Sequence, residues 1–147
     1  MSVRTVRHAG IVVSDLERSL AFYRDLLGLR VEVDQVEHGE FVETILGLPG
    51  VRVRTVKLAA KEGPTLLELL EFDGLSLTAG EPADLRRIGP THSALTVDDL
   101  DRLYRRLHSA GVRFVSPPRT SADGRARVAF CADPDGAMLE LVEPIGN

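Results

Sequence analysis

Apolar residues along the chain alternate with polar ones over several short stretches and recur at helical spacing over two longer ones. Both kinds of segment come in the same order twice. Thr5 to Val13 and Thr91 to Val97 are rich in Val, Ile, Leu and Thr, which predicts a strand at the head of each series. A helical period follows each. Leu16, Leu20, Tyr23 and Leu27 form one apolar face, and Leu100, Leu103, Tyr104 and Leu107 form the other. Ser14 and Glu17 have the spacing of a capping box, Asp98 is the expected cap of the second helix, and Gly28 and Gly111 are the expected stops. The pattern then returns to short strands: Leu29 to Val36, Val51 to Leu58 and Thr65 to Phe72 in the first series, and Val112 to Ser116, Arg125 to Ala132 and Ala137 to Val142 in the second. Glu62-Gly63-Pro64, Asp123-Gly124 and Asp133-Pro134-Asp135-Gly136 are turn chemistry between them.

Laying His8 over His92 shows that the series are copies. HAGIVVSDLERSLAFYRDLLGLRV and HSALTVDDLDRLYRRLHSAGVRFV share Asp15 and Asp99 seven residues after the histidine, then Leu16 and Leu100, then Arg18 and Arg102. Gly28 and Gly111 follow at 20 and 19 residues, a slip of one. The expected architecture is α+β, with two tandem βαβββ modules at about 4–73 and 88–144. A glycine- and proline-bearing linker at about 74–87 joins them into a single domain.

Period-two alternation puts Glu68 with Leu66, Leu70 and Phe72, and Glu140 with Met138 and Val142. A carboxylate on an apolar face needs a partner, because desolvating a lone charge is costly. His8 shares a face with Val6 and Val12, and His92 lies early in its own first strand, so each copy offers one His near its start and one Glu near its end. Imidazole nitrogen and carboxylate oxygen suit borderline divalent ions such as Zn, Ni, Co, Fe or Mn. Two carboxylates balance the charge of such an ion. Four protein ligands leave two octahedral positions for a substrate chelating through adjacent oxygens. For any one of these residues a structural role is the simpler account; the symmetric set of His8, Glu68, His92 and Glu140 reverses that balance. His38, in a polar run and suited to a pocket mouth, and His108, near a helix end, are read as structural or solvated.

Composition removes several function classes. The 147 residues are 44% hydrophobic and 27% charged with a formal net charge of -4, ordinary for a globular domain. Basic residues form no phosphate-tracking stripe, so nucleic acid is not an expected partner. No apolar run approaches bilayer length and Met1 to His8 lacks a signal-peptide core, so no membrane contact and a cytoplasmic location are expected. The single cysteine, Cys131, sits in the apolar run Val128 to Ala132 and reads as a buried thiol with no catalytic role.

The segments HAGIVVSDLERSLAFYRDLLGL, LLELLEF, THSALTVDDLDRL and FCADPDGAMLELVEP together resemble the vicinal oxygen chelate superfamily. That superfamily includes glyoxalase I, methylmalonyl-CoA epimerase, extradiol dioxygenases and the bleomycin and fosfomycin resistance proteins. The resemblance implies paired modules whose curved mixed sheets form a cleft around the metal. It also implies first and last strands side by side, so that His8 neighbours Glu68 and His92 neighbours Glu140, and frequent homodimers, some with sites shared between chains. The His, Glu, His, Glu order is similar to glyoxalase I, where a glutamate ligand moves a proton beside a carbonyl. This makes Glu68 and Glu140 the candidate catalytic residues. Bacterial glyoxalase I usually has a glutathione-contacting arginine four residues after the first histidine and an asparagine four after the first glutamate. Here these positions are Val12 and Phe72, which argues against glutathione as cosubstrate.

Methylmalonyl-CoA epimerases usually carry Gln at the Glu68 position and a doubled histidine where this chain has Thr91-His92-Ser93. The resulting expectation is a metal-dependent lyase or isomerase acting by glyoxalase-like or epimerase-like proton transfer on a small oxygenated substrate. Two alternatives stand beside it: an Fe(II) extradiol-type dioxygenase, for which Glu68 is surplus, and a non-catalytic antibiotic- or natural-product-binding protein. The span His8 to Glu68 is 60 residues against 48 for His92 to Glu140. Phe41, Val42, Ile45 and Leu46 in that insertion read as an apolar lid over the substrate or as cover for the core.

Overall fold

The structure, a computed structural model, describes residues 3–74, 85–86 and 88–146. The chain divides into two compact units, Met1–Ala79 and Gly80–Asn147. Most of the expected linker, 75–84 and residue 87, lies outside the described residues.

In the first unit β1 (His8–Val12) leads into α1 (Leu16–Leu20) and a π-helical continuation (Ala21–Leu26). Then come β2 (Arg30–His38), α2 (Glu40–Leu46), β3 (Arg52–Ala59) and β4 (Leu66–Asp73). In the second unit the order is β5 (His92–Thr96), α3 (Leu100–Ser109), β6 (Arg119–Thr120), β7 (Ala126–Ala132) and β8 (Met138–Pro144). Each unit holds a four-stranded mixed sheet, ordered β1-β4-β3-β2 and β5-β8-β7-β6. The first and last strands of each unit pair in parallel and the remaining pairs are antiparallel. The observed architecture is therefore the expected α+β pair of βαβββ modules.

The two faces of each sheet differ. On β4, Leu67 and Leu69 are buried and Glu71 accepts a hydrogen bond from the Leu16 amide at 2.8 Å, so this face meets the helix. On β8, Leu139 and Leu141 are buried and Glu143 accepts from the Leu100 amide at 3.0 Å. A carboxylate at the helix start satisfies a free N–H and meets the positive end of the helix. The opposite faces, with Leu66, Glu68, Leu70 and Phe72 on β4 and Glu140 and Val142 on β8, are half-buried.

The helix starts differ from the sequence expectation by one residue. The N-caps are Asp15 and Asp99, whose side chains accept from the Arg18 and Arg102 amides at 2.9 Å, not Ser14 with Glu17 or Asp98. A carboxylate is a stronger acceptor than a hydroxyl at the positive end of a helix. Ser14 Oγ accepts from the Arg18 guanidinium and Glu17 from that of Arg54. The one-residue slip between Gly28 and Gly111 is also explained. In the first helix the Leu27 amide donates to the Phe22 carbonyl, five residues back, so the π turn absorbs one residue more than an α turn. That turn buries Phe22 and Tyr23 and leaves Leu27 only partly covered. Gly28 and Gly111 then close both helices at φ 80 and 85, a backbone region that side chains with a Cβ disfavour.

Two further expectations change. Val112 to Ser116 forms a single bridge, Phe114 with Cys131, flanked by Val115 N to Phe130 O and Ala132 N to Arg113 O. Pro117 and Pro118 follow at once, and proline has no N–H for a ladder, so strand pairing resumes only at β6. The insertion in the first unit is the helix α2, bounded by Gly39 and Gly47 at positive φ. Its Val42 is buried with Val51 and Val53 and packs against Leu48, Leu70 and Phe72, while Phe41, Ile45 and Leu46 are exposed. Only Val42 of the four acts as cover for the core.

Candidate metal centre

In the first unit, His8 opens β1 beside Leu66 on β4, and Glu68 lies opposite Gly10 two residues on. The parallel register and the shared face bring the side chains together. His8 Nε2 is 2.8 Å from Glu68 Oε2, and the Glu68 side chain is only 12% exposed. Lys57 is the direct cross-strand partner of Glu68 on β3, and its Nζ lies 3.8 Å from Glu68 Oε1. The carboxylate thus faces an imidazole on one oxygen and an ammonium on the other.

The second unit repeats the pairing with different surroundings. His92 opens β5 beside Met138, Glu140 lies opposite Ala94, and His92 Nε2 is 3.2 Å from Glu140 Oε2. Thr91 Oγ1 is 2.8 Å from His92 Nδ1, which fixes the ring while Nε2 points at the carboxylate. The cross-strand partner of Glu140 is Phe130, the counterpart of Lys57, and its ring meets that of His92 edge to face at 5.1 Å.

The structure therefore brings together His8 with Glu68 and His92 with Glu140. Among the described residues no group of three or more His, Cys, Asp and Glu with metal-binding spacing occurs. Within each pair the donor types fit a divalent cation: a ring nitrogen and a carboxylate oxygen, both on a half-exposed face. His38 and His108 enter neither pair; both are exposed, and the His108 ring lies 5.5 Å from that of Tyr104.

Two contacts of this chain escape a reading by composition and period, and a third was within its reach. Lys57 is visible only once the β3–β4 register is known, since in the sequence it belongs to an alternating basic stretch. Thr55 Oγ1 donates to Glu37 Oε2 at 2.7 Å on the same sheet face, joining two residues 18 apart. Glu71 and Glu143, which hold the helix starts, were open to detection because each follows its paired glutamate by three residues.

A family model for the glyoxalase/bleomycin resistance protein/dioxygenase superfamily matches residues 5–141. The chain belongs to that superfamily. It is 32% identical over 153 aligned positions to a lactoylglutathione lyase of Schizosaccharomyces pombe, covering 97% of this chain but 48% of that enzyme. The chain thus spans about half the length of this relative. It is 31% identical to the uncharacterized protein YwkD of Bacillus subtilis, covering 97% of this chain and 99% of YwkD. The crystal structure of a glyoxalase family protein from Bacillus cereus superposes with a TM-score of 0.89 at 22% identity, covering 99% of this chain and 97% of that one. That likeness shows the fold.

Proposed function

We propose that this superfamily member is a metal-dependent lyase or isomerase that moves a proton at a carbon next to a carbonyl in a small oxygenated substrate. In this reading His8, Glu68, His92 and Glu140 hold one divalent ion, drawn from Zn, Ni, Co, Fe or Mn. The two pairs come from one chain, or one from each of two copies in a homodimer. The supporting observation is the repetition of one contact, His Nε2 to Glu Oε2, at matched places in both units. One such contact is adequately a structural ion pair. Keeping it twice, on partly exposed faces away from the helix-side core, supports two donors from each unit for a shared cation.

When bound, the metal supplies Lewis acidity towards two adjacent substrate oxygens. His8 and His92 present ring nitrogens, and the Thr91 hydroxyl holds the His92 ring in place. Glu68 or Glu140 takes the proton from the carbon and returns it, a role suited to a carboxylate already close to the reacting centre. Val12 and Phe72 provide no donor for glutathione at the positions where the resemblance implies one. Capture of a natural product without turnover would need neither His–Glu pair.

The test is proton exchange in D2O followed by NMR, with metal-loaded protein and small 2-hydroxycarbonyl and 2-oxo compounds, methylglyoxal with and without glutathione among them. The expected result is metal-dependent deuterium incorporation that a chelator abolishes, that Glu68→Gln or Glu140→Gln removes, and that needs no glutathione. Oxygen uptake with catechols on anaerobically Fe(II)-loaded protein, without such exchange, would overturn the reading in favour of a dioxygenase. Tight ligand binding by metal-free protein would overturn it in favour of sequestration.

A further inference from the structure

The two His–Glu pairs differ at one cross-strand position: the partner of Glu68 is Lys57, and the partner of Glu140 is Phe130. Neutralising a half-buried glutamate does not account for the lysine. Glu140 sits in the equivalent place beside His92 with an aromatic ring as its cross-strand partner, and Glu68 already has His8 at 2.8 Å. Nor is Lys57 spent on Glu68. At 3.8 Å the contact is longer than a hydrogen bond, so the ammonium is attracted to Oε1 while its N–H donors stay available to another acceptor. The side chain is 22% exposed, enough to keep the ammonium in reach of a ligand on this sheet face.

Charge carries the argument further. On the four-donor reading proposed above, on which this inference rests, two carboxylates balance one divalent ion and the imidazoles are neutral. Lys57 then adds a positive charge beyond that balance, with Glu37, bound to Thr55, the further carboxylate on this sheet face. A cation bound at Glu68 also repels the ammonium and frees it from Oε1. We infer that Lys57 is an anion-recognising, specificity-determining residue of the first pair, and that the substrate is a carboxylate-bearing chelator such as a 2-oxo or 2-hydroxy acid. The carboxylate supplies the matching negative charge and the acceptor for the lysine's donors. The apolar surroundings of Glu140 leave the second pair without such a donor at this position.

The test is calorimetric titration of oxalate, a chelating dianion, into the full chain loaded with Ni(II), with imidazole as a neutral metal ligand for comparison. Lys57→Met keeps the apolar stem and should weaken oxalate by about tenfold or more, the loss of one charge-assisted hydrogen bond, with imidazole affinity changed by less than about twofold. Lys57→Arg should retain most of the oxalate affinity. Lys57→Gln serves where the methionine variant does not fold, folding being checked by thermal melting. Oxalate binding equal in wild type and the Met or Gln variant, with Ni(II) held by both, overturns this inference alone. A wild-type chain that holds none of Zn(II), Ni(II), Co(II), Fe(II) and Mn(II) overturns the metal reading and this inference with it; where another of these ions is held in place of Ni(II), the same titration is run with that ion.

Discussion

Cys131 shows how far a single residue's chemistry is set by its place. It lies in β7 with no exposed surface, and burial, helped by Asp133, pushes its thiol from an ordinary 9.0 up to about 12. Because the folded state holds the proton more tightly, the associated stability is complete below pH 9 and is lost as the pH rises towards 12. Native protein should therefore leave Cys131 unmodified by a thiol reagent at neutral pH and yield one reactive thiol on denaturation, measured by chromophore release. The apolar run around Cys131 makes this legible in the sequence. The Lys57–Glu68 contact is not legible there, because it joins residues that only a specific β3–β4 register sets opposite each other.

At the scale of elements, each module fastens its helix to its sheet in the same way. Asp15 and Asp99 cap the helices, Glu71 and Glu143 accept from the next amide, and Arg54 and Arg127 on β3 and β7 reach Glu17 and Asp101 two residues past the caps. Asp99→Ala should lower stability by about 1 kcal/mol in chemical denaturation, the usual cost of a lost cap, whereas Asp98→Ala should change it little. Arg54 also forms a two-pronged contact with Asp34, whose carboxyl it holds below the usual range. That contribution is present above the unfolded pKa and is lost as the pH falls through the lower folded one. Arg54 and Asp34 are 31% and 41% exposed, so solvent screens the pair in part and Arg54→Met should cost about 1 kcal/mol.

The internal repeat carried the right information about the caps, since the seventh position after each histidine is an aspartate in both copies, Asp15 and Asp99, whereas the sixth is Ser14 in one and Asp98 in the other. A capping-box spacing read in one copy alone pointed to Ser14. The short β6 was hidden by the apolar stretch before it, which the two prolines cut off from the ladder.

For the whole molecule, length and repetition were enough to anticipate two modules with mixed sheets, because strand and helix periods recur in order around each histidine. The insertion's length was evident too. Its form as α2 was not, since seven residues offer barely two turns in which to see a period. Among the described residues no helix is long and apolar enough to cross a membrane. A metal held by both units would tie their stabilities together. The melting temperature should therefore rise with added Zn(II) or Ni(II), by a free energy that grows with the logarithm of metal concentration, and fall back on chelation.

The most direct measurement of the four-donor claim is divalent-metal affinity and stoichiometry of the 147-residue chain, by calorimetry with elemental analysis, for wild type and for His8→Ala, Glu68→Ala, His92→Ala and Glu140→Ala. The account predicts one tight metal per chain and a loss of affinity in all four variants, from both units alike. It would be contradicted by no tight site in the wild type, or by substitutions at His8 and Glu68 that leave the affinity unchanged.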